Sequence, residues 1–175
     1  MLILKSLLKY PKGTLESILI EAYSPFHECY PEYSEENLKK FNECDSFFYE
    51  NPKIGEDCSF ISEYQGIIAG MCCWNPRESP IVIIGHNCIL PKFRGKGLGV
   101  HQMRMTINRL KDKGFTKAKV STGIMDYFMP AQKMYKSVGF KEVSRDNPNT
   151  SNKIMLHNQV YYAMELCRGD GSNGF

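Results

Sequence analysis

Apolar positions along this chain change their period several times, and each change marks a boundary between elements. Residues 2–8 form a short apolar run that predicts an opening strand. Leu15, Ile18, Leu19 and Ala22 then fall at helical spacing, which predicts a helix over 14–23 capped by Thr14. A second helix is expected over 34–49, through Leu38, Phe41 and the cluster Phe47-Phe48-Tyr49. The segment between them, residues 24–33, carries aromatic rings and two prolines and reads as a loop, apolar enough to be a binding segment. Strand patterns follow at 58–64 and 66–74, a hairpin about Gln65-Gly66, and then a longer strand over 80–90. Val100, Met103, Ile107 and Leu110 return to helical spacing, and Gly114 ends that helix. A strand is expected at 117–122. Pro130 suits a first helical turn, and Ala131, Met134, Tyr135 and Val138 make a stripe closed by Gly139. Residues 140–144 and 159–166 predict the last strands, and the glycine-rich stretch 168–175 a fraying tail.

That order describes an α/β fold with about four helices on a mixed, mostly antiparallel sheet of 6–7 strands, because the hairpins force antiparallel neighbours. With 175 residues, 42% of them hydrophobic, one domain over 1–167 followed by the tail is the expectation. No run approaches the roughly 20 apolar residues of a membrane span, and Lys5 interrupts the opening run, so a soluble, cytoplasmic protein is expected. The seven cysteines include no CxxC pair, which reads as reduced, buried thiols. His27-Glu28-Cys29 finds no second pair of ligands, so no metal is expected.

Charge matters once it is divided. Residues 1–60 hold six basic and eleven acidic side chains, whereas 61–175 hold sixteen and eight. The stretch 92–119 alone has nine basic residues and one acid, Asp112. A polyanion therefore belongs against the second half, either nucleic acid or a phosphorylated cofactor, unless the charges only solvate a helix face. Nucleic acid fits poorly, since Phe93 and Phe115 are the only aromatic residues interleaved with the basic ones.

The chemistry concentrates in Leu90-Pro91-Lys92-Phe93-Arg94-Gly95-Lys96-Gly97-Leu98-Gly99, between a strand and the basic helix. Alternating glycines let the backbone turn tightly and present successive N–H groups at a helix N-terminus, a cradle for phosphate. A Walker loop would need Ser or Thr after Gly95-Lys96, where Gly97 stands. A dinucleotide loop would need a glycine at Val100 or Gln102.

Arg94, Gly97 and Gly99 instead fill the Arg/Gln-x-x-Gly-x-Gly/Ala loop of the GNAT-type N-acyltransferases, and the block 130–140 resembles that family's Ala-x-x-x-Tyr-x-x-x-Gly-Phe signature. The order of elements from about 2 to 166 is similar as well. The resemblance implies a sheet splayed at its centre, with acetyl-CoA lying in the gap. Backbone groups of Cys88, Ile89 and Leu90 would meet the pantetheine, residues 94–99 (Arg94, Gly95, Lys96, Gly97, Leu98 and Gly99) would hold the pyrophosphate, and Ala131 and Tyr135 would complete the cofactor wall. By the same resemblance Tyr135 gives a proton to the departing thiolate; read from the residues alone, it equally packs within its stripe.

A base is harder to find. His86 is the nearest titratable side chain on the long strand, and its usual pKa suits the role, although a strand histidine is more often structural. Phe26, Glu28, Tyr30, Glu32 and Trp74 are the candidate acceptor pocket, with Tyr33 beside them, and the acidic first half favours a cationic amine. One position departs from the family: Phe128 stands where relatives often carry a polar residue, which would move that contact to Ser121, Thr122 or Asp126. The resemblance thus implies an N-acetyltransferase in which a small-molecule or peptide amine attacks directly in a ternary complex, rather than through Cys88. The alternative is a non-catalytic acyl-CoA sensor. Neither nucleic acid nor membrane is an expected partner, while sheet-edge pairing through the last strands would give a homodimer.

Overall fold

A computed structural model describes residues 1–147 and 158–166. Its strands are β1 (Leu2–Lys5), β2 (Ser59–Tyr64), β3 (Ile67–Asn75), β4 (Ile81–Ile89), β5 (Lys117–Gly123), β6 (Lys141–Arg145) and β7 (Gln159–Glu165). The helices are α1 (Thr14–Cys29), α2 (Ser34–Glu50), α3 (Pro52–Cys58), α4 (Leu98–Asp112) and α5 (Met129–Ser137). All seven strands form one sheet in the order β1-β2-β3-β4-β5-β7-β6, and β4–β5 is the parallel contact in it. The mixed, mostly antiparallel α/β architecture is therefore as expected, and the tail at 168–175 lies outside the described residues. No described helix is long and apolar enough to cross a membrane.

The hairpin between β2 and β3 turns on Gln65 and Gly66, both at positive φ (54° and 77°), the two-residue turn whose twist matches the strands it joins. Apolar side chains from both faces of the central strands, among them Phe60, Met71, Val82 and Val120, are buried against the helices. The far edge is β6, whose residues are all exposed. Lys141, Glu142 and Arg145 put charge along it, which blunts edge pairing.

Two features of the helical layer differ from expectation. The segment expected as a loop is largely helix: α1 runs on through Pro25 to Cys29, and a short 3-10 turn covers Pro31–Tyr33. Pro25 has no N–H for the carbonyl of Glu21, and the Ser24 hydroxyl donates to that oxygen instead, at 3.0 Å. Apolar burial then favours the helix, since Phe26 packs between Tyr30, Tyr33, Tyr127 and Phe128 at 5.1–5.7 Å. Nor does Thr14 cap α1. The cap position is Gly13, and the Asp45 carboxylate of α2 accepts from the N–H groups of Gly13, Leu15 and Glu16 at 2.8, 3.1 and 3.3 Å. One acid thereby ties the two helices together and is itself 2% exposed.

Candidate active site

The central strands separate where the sequence places its chemistry. Only Ile81–Ile84 of β4 pair with β5, against Lys117–Val120, and both strands continue beyond that point without pairing. Part of the cause lies on the other side of β4. Against β3, Cys72 faces Asn87 and Trp74 faces Ile84, so β4 carries one extra residue near Gly85-His86, and such a bulge bends its strand. The result is a V between the C-terminal ends of β4 and β5. A cleft of about 1870 Å³ runs through it and on between α2, α3 and the β3–β4 turn. That exceeds the few hundred to ~1,000 Å³ of an ordinary single-ligand site and leaves room for two molecules side by side.

At the top of the V, a 3-10 turn (Pro91–Phe93) leads into the glycine loop. Gly95 and Gly97 both stand at φ 74°, and no atom lies within 4 Å of where a Cβ would project from either. Gly97 is the cap residue of α4, and no side chain caps that helix, so its first N–H groups face an open concavity. The ammonium groups of Lys92 and Lys96 lie over the Phe93 ring at 5.5 and 5.6 Å, which holds both charges beside the loop. Arg94 sits here too, but its guanidinium is engaged elsewhere. It donates to Ile89 O (3.0 Å), Ala22 O (2.6 Å) and the Tyr127 hydroxyl (3.2 Å), clasping the ends of the V to α1. What the loop leaves open is therefore the backbone of 95–99, with Lys96 and Lys92 beside it, Lys92 also 3.7 Å from Glu21 Oε1.

Backbone alternation decides which β4 groups point into the V. Leu90 N–H donates to Ala69 O of β3 at 2.8 Å, so Leu90 faces β3, and so does Cys88 two residues earlier. Asn87 and Ile89 face the gap. Of the three residues expected to offer backbone groups to pantetheine, Ile89 turns its backbone to the gap, whereas Cys88 and Leu90 turn theirs to β3. Burial pushes the Cys88 thiol up to about 12, which suppresses the thiolate a covalent route would need.

Tyr135 lines the cleft from α5 and is 4% exposed, packed at 5.8 Å from Phe140 and 5.9 Å from Tyr162. Burial raises its phenol pKa, while the nearby Asn87 side chain acts in the other direction. His86 also lines the cleft, between Phe41 (5.6 Å) and Tyr23 (6.3 Å). Burial lowers it to about 4, so the imidazole is neutral and a weak base, not a group poised near neutrality as expected.

Phe128 is buried, and its ring lies directly on Gly123: a Cβ there would stand 2.3 Å from Phe128 Cδ2. Ser121 and Thr122 line the cleft, so a polar wall persists on β5. The residues expected on the acceptor side, by contrast, mostly lie away from this cleft. Phe26 is fully buried, Glu28 and Glu32 are exposed, and neither they nor Tyr30 and Tyr33 line the cleft, because that segment is helical and turns its rings inward. Trp74 does line it, together with Glu43, Phe47, Ile54 and Arg77, which the sequence did not single out. The acids of the first half mostly lie elsewhere on the surface. Among the described residues, the cleft's own acids are Glu43 and Asp57, set among Lys40, Lys53, Arg77 and Lys113, so the wall is mixed rather than acidic. No group of three or more potential metal ligands occurs among the described residues.

The sequence model of the acetyltransferase (GNAT) family matches residues 15–140. No functionally curated protein matches the chain significantly. Solved structures with the same fold include the ribosomal-protein-S18-alanine N-acetyltransferase of Escherichia coli, 17% identical, with 100% of each chain covered and a TM-score of 0.68. An N-acetyltransferase from Staphylococcus aureus Mu50 is 15% identical over 95% of this chain and 99% of its own, with a TM-score of 0.69. The PaiA N-acetyltransferase of Thermoplasma acidophilum, in complex with coenzyme A, is 12% identical over 94% and 99%, again at 0.69. At these identities the likeness is one of fold.

Proposed function

Because this chain belongs to the acetyltransferase (GNAT) family, we propose that it moves an acetyl group from acetyl-CoA to a primary amine by direct attack in a ternary complex. The observation that carries this reading is the V itself: a parallel pair that parts after four residues, opening upward onto an uncapped helix N-terminus and inward onto Tyr135. The residues present fit the co-substrate. The pyrophosphate belongs on the N–H groups of 95–99 with Lys92 and Lys96 alongside, and the pantetheine amides belong against Asn87 and Ile89.

In the reaction so assigned, the neutral amine attacks the thioester carbonyl, and a backbone N–H of β4 stabilises the oxygen as it gains charge, a contribution of about 3 kcal/mol for a well-placed donor. The C–S bond breaks and Tyr135 gives its proton to the sulfur. The ammonium formed by attack returns a proton through water, with His86 too weakly basic to hold it. The raised thiol of Cys88 supports direct transfer over an acyl-enzyme.

Calorimetry with acetyl-CoA, followed by thiol release across a panel of primary amines, tests the reading. Binding with turnover on at least one amine upholds it. Tight binding without turnover on any amine replaces it with an acyl-CoA sensor, and no binding removes both.

A further inference from the structure

The cleft continues past the V to an end for which the co-substrate has no use. Contacts among α2, α3, α4 and β3 fix that end. Gly55 of α3 lies so near α2 that a Cβ there would stand 2.8 Å from Phe48 O. Arg109 of α4 donates to Glu56 O of α3 at 3.4 Å and lies over the Trp74 ring at 5.6 Å. Lys113 meets Asp57 at 3.3 Å. The β3–β4 turn, which carries Arg77, leads on from Trp74.

Charge at this end is not balanced. Lys113 is held by Asp57, Lys40 by Glu36 at 2.5 Å, and Glu43 by Lys39 at 4.0 Å. Glu78, next to Arg77 in the chain, is taken by Lys119 at 3.1 Å. Lys53 and Arg77 line the cleft and are exposed, and neither side chain has an acidic partner among the described residues. Beside them Phe47 and Ile54, each 39% exposed, and the buried Trp74 give the cleft an apolar wall. Two uncompensated cations on an apolar wall complement a guest that carries carboxylates, although the first half of the chain is acidic.

Strand register sets the length of that guest. Trp74 faces Ile84, three residues down β4 from Asn87, which is a distance of about 10 Å. Asn75 faces Ile83, and Arg77 lies two residues further along the turn, which extends the reach to roughly 20 Å. A free amino acid cannot hold its amine at Asn87 and its carboxylate there. An extended chain advances about 3.3–3.6 Å per residue, so the span takes about three to six residues.

We infer that the acceptor is a primary amine of an acidic peptide segment, whose carboxylates, about three to six residues from the amine, rest against Lys53 and Arg77. The inference rests on the acetyl-transfer reading above, which sets the place of the amine.

Trp74 is the single tryptophan of the chain, so its fluorescence reports occupancy without turnover. The protein, with CoA in place of acetyl-CoA, is titrated with a hexapeptide bearing glutamate at its last four positions, and with its glutamine and lysine counterparts. The glutamate peptide should bind at least about tenfold more tightly than the glutamine one, with the preference shrinking as salt is added. Lys53→Glu and Arg77→Glu should each cut that preference by roughly three- to tenfold, while calorimetric affinity for acetyl-CoA stays within about twofold. Equal binding of the glutamate and glutamine peptides, tighter binding of the lysine peptide, or a preference that survives both reversals overturns the inference. So does free glutamate binding as tightly as the hexapeptide. With acetyl-CoA supplied, mass spectrometry of the glutamate peptide, and of an N-terminally blocked version opening on lysine, shows whether the α-amine or a lysine amine is taken. A preference for glutamate without acetylation of either peptide keeps the docking site and removes the transfer reading. Turnover on other amines without that preference keeps the transfer reading and removes the inference.

Discussion

Gly123 is the last residue of β5 before the chain turns toward α5, and its lack of a side chain is what admits Phe128. In Gly123→Ala the new methyl would stand 2.3 Å from Phe128 Cδ2 and 2.6 Å from Cε2, where carbon atoms need about 3.5–4.0 Å. The ring has little freedom to retreat: Phe26 and Tyr127 both hold it at 5.1 Å. Moving it by more than ~1 Å places the substitution at the upper part of the overpacking range, about 2–3 kcal/mol, or roughly 5–10 °C in melting temperature. The double-mutant cycle tests the cause. Phe128→Ala alone should cost about 3–4 kcal/mol through the cavity it leaves, and Gly123→Ala made in that background should be neutral or mildly stabilising. Urea denaturation of the four proteins gives the coupling energy. A Gly123→Ala cost below about 0.5 kcal/mol, or equal costs in the two backgrounds, would refute the packing argument. The same displacement should reach the cleft, because Gln132 Nε2 donates to Gly123 O at 2.8 Å, so a raised KM for acetyl-CoA is expected alongside.

Tyr135→Phe keeps the ring that packs on Phe140 and Tyr162 and removes only the hydroxyl, so kcat should fall 10²- to 10⁴-fold while binding of acetyl-CoA, read by calorimetry, stays within about threefold. Asp45→Ala strips three N–H groups of α1 of their acceptor and should destabilise by about 2–3 kcal/mol in urea titrations, without moving KM. His86 has its folded pKa lowered by burial to about 4, below the unfolded value, so the unfolded chain binds more protons between about pH 6.5 and 4. Stability is therefore full above that window and declines as pH falls through it, by up to about 3 kcal/mol from this group, with His27 adding in the same sense. In His86→Gln the decline should be shallower, and an unchanged slope would show that the imidazole is not buried as a neutral group.

What could be read from the sequence was local. The glycine loop, the stripe of α4 and the block around Tyr135 declare themselves within a dozen residues, because phosphate cradles and amphipathic helices are built from neighbours in the chain. Long-range partners stayed hidden. Asp45 reads as an ordinary helix acid until α1 arrives beside it, and Gln102 as a polar interruption of an apolar stripe until Asn87 and Ser62 close around it. Pro25 pointed to a loop because its missing N–H is visible in the sequence, whereas the burial of Phe26 that outweighs it is not. Helix α3 is seven residues long, too short for its period to register. The far wall of the cleft was hidden for the same reason: it draws on α2, α3 and the β3–β4 turn, which nothing in their own residues associates.

The clasp made by Arg94 has a consequence for traffic. One side chain anchors to the end of β4, to α1 and to the turn after β5, and so bars the flank of the gap that faces α1. A guest threading the gap from the glycine loop cannot be met from that flank. In the proposed reaction the second guest would come by way of the side of the cleft lined by α2 and α3, past Phe47 and Ile54.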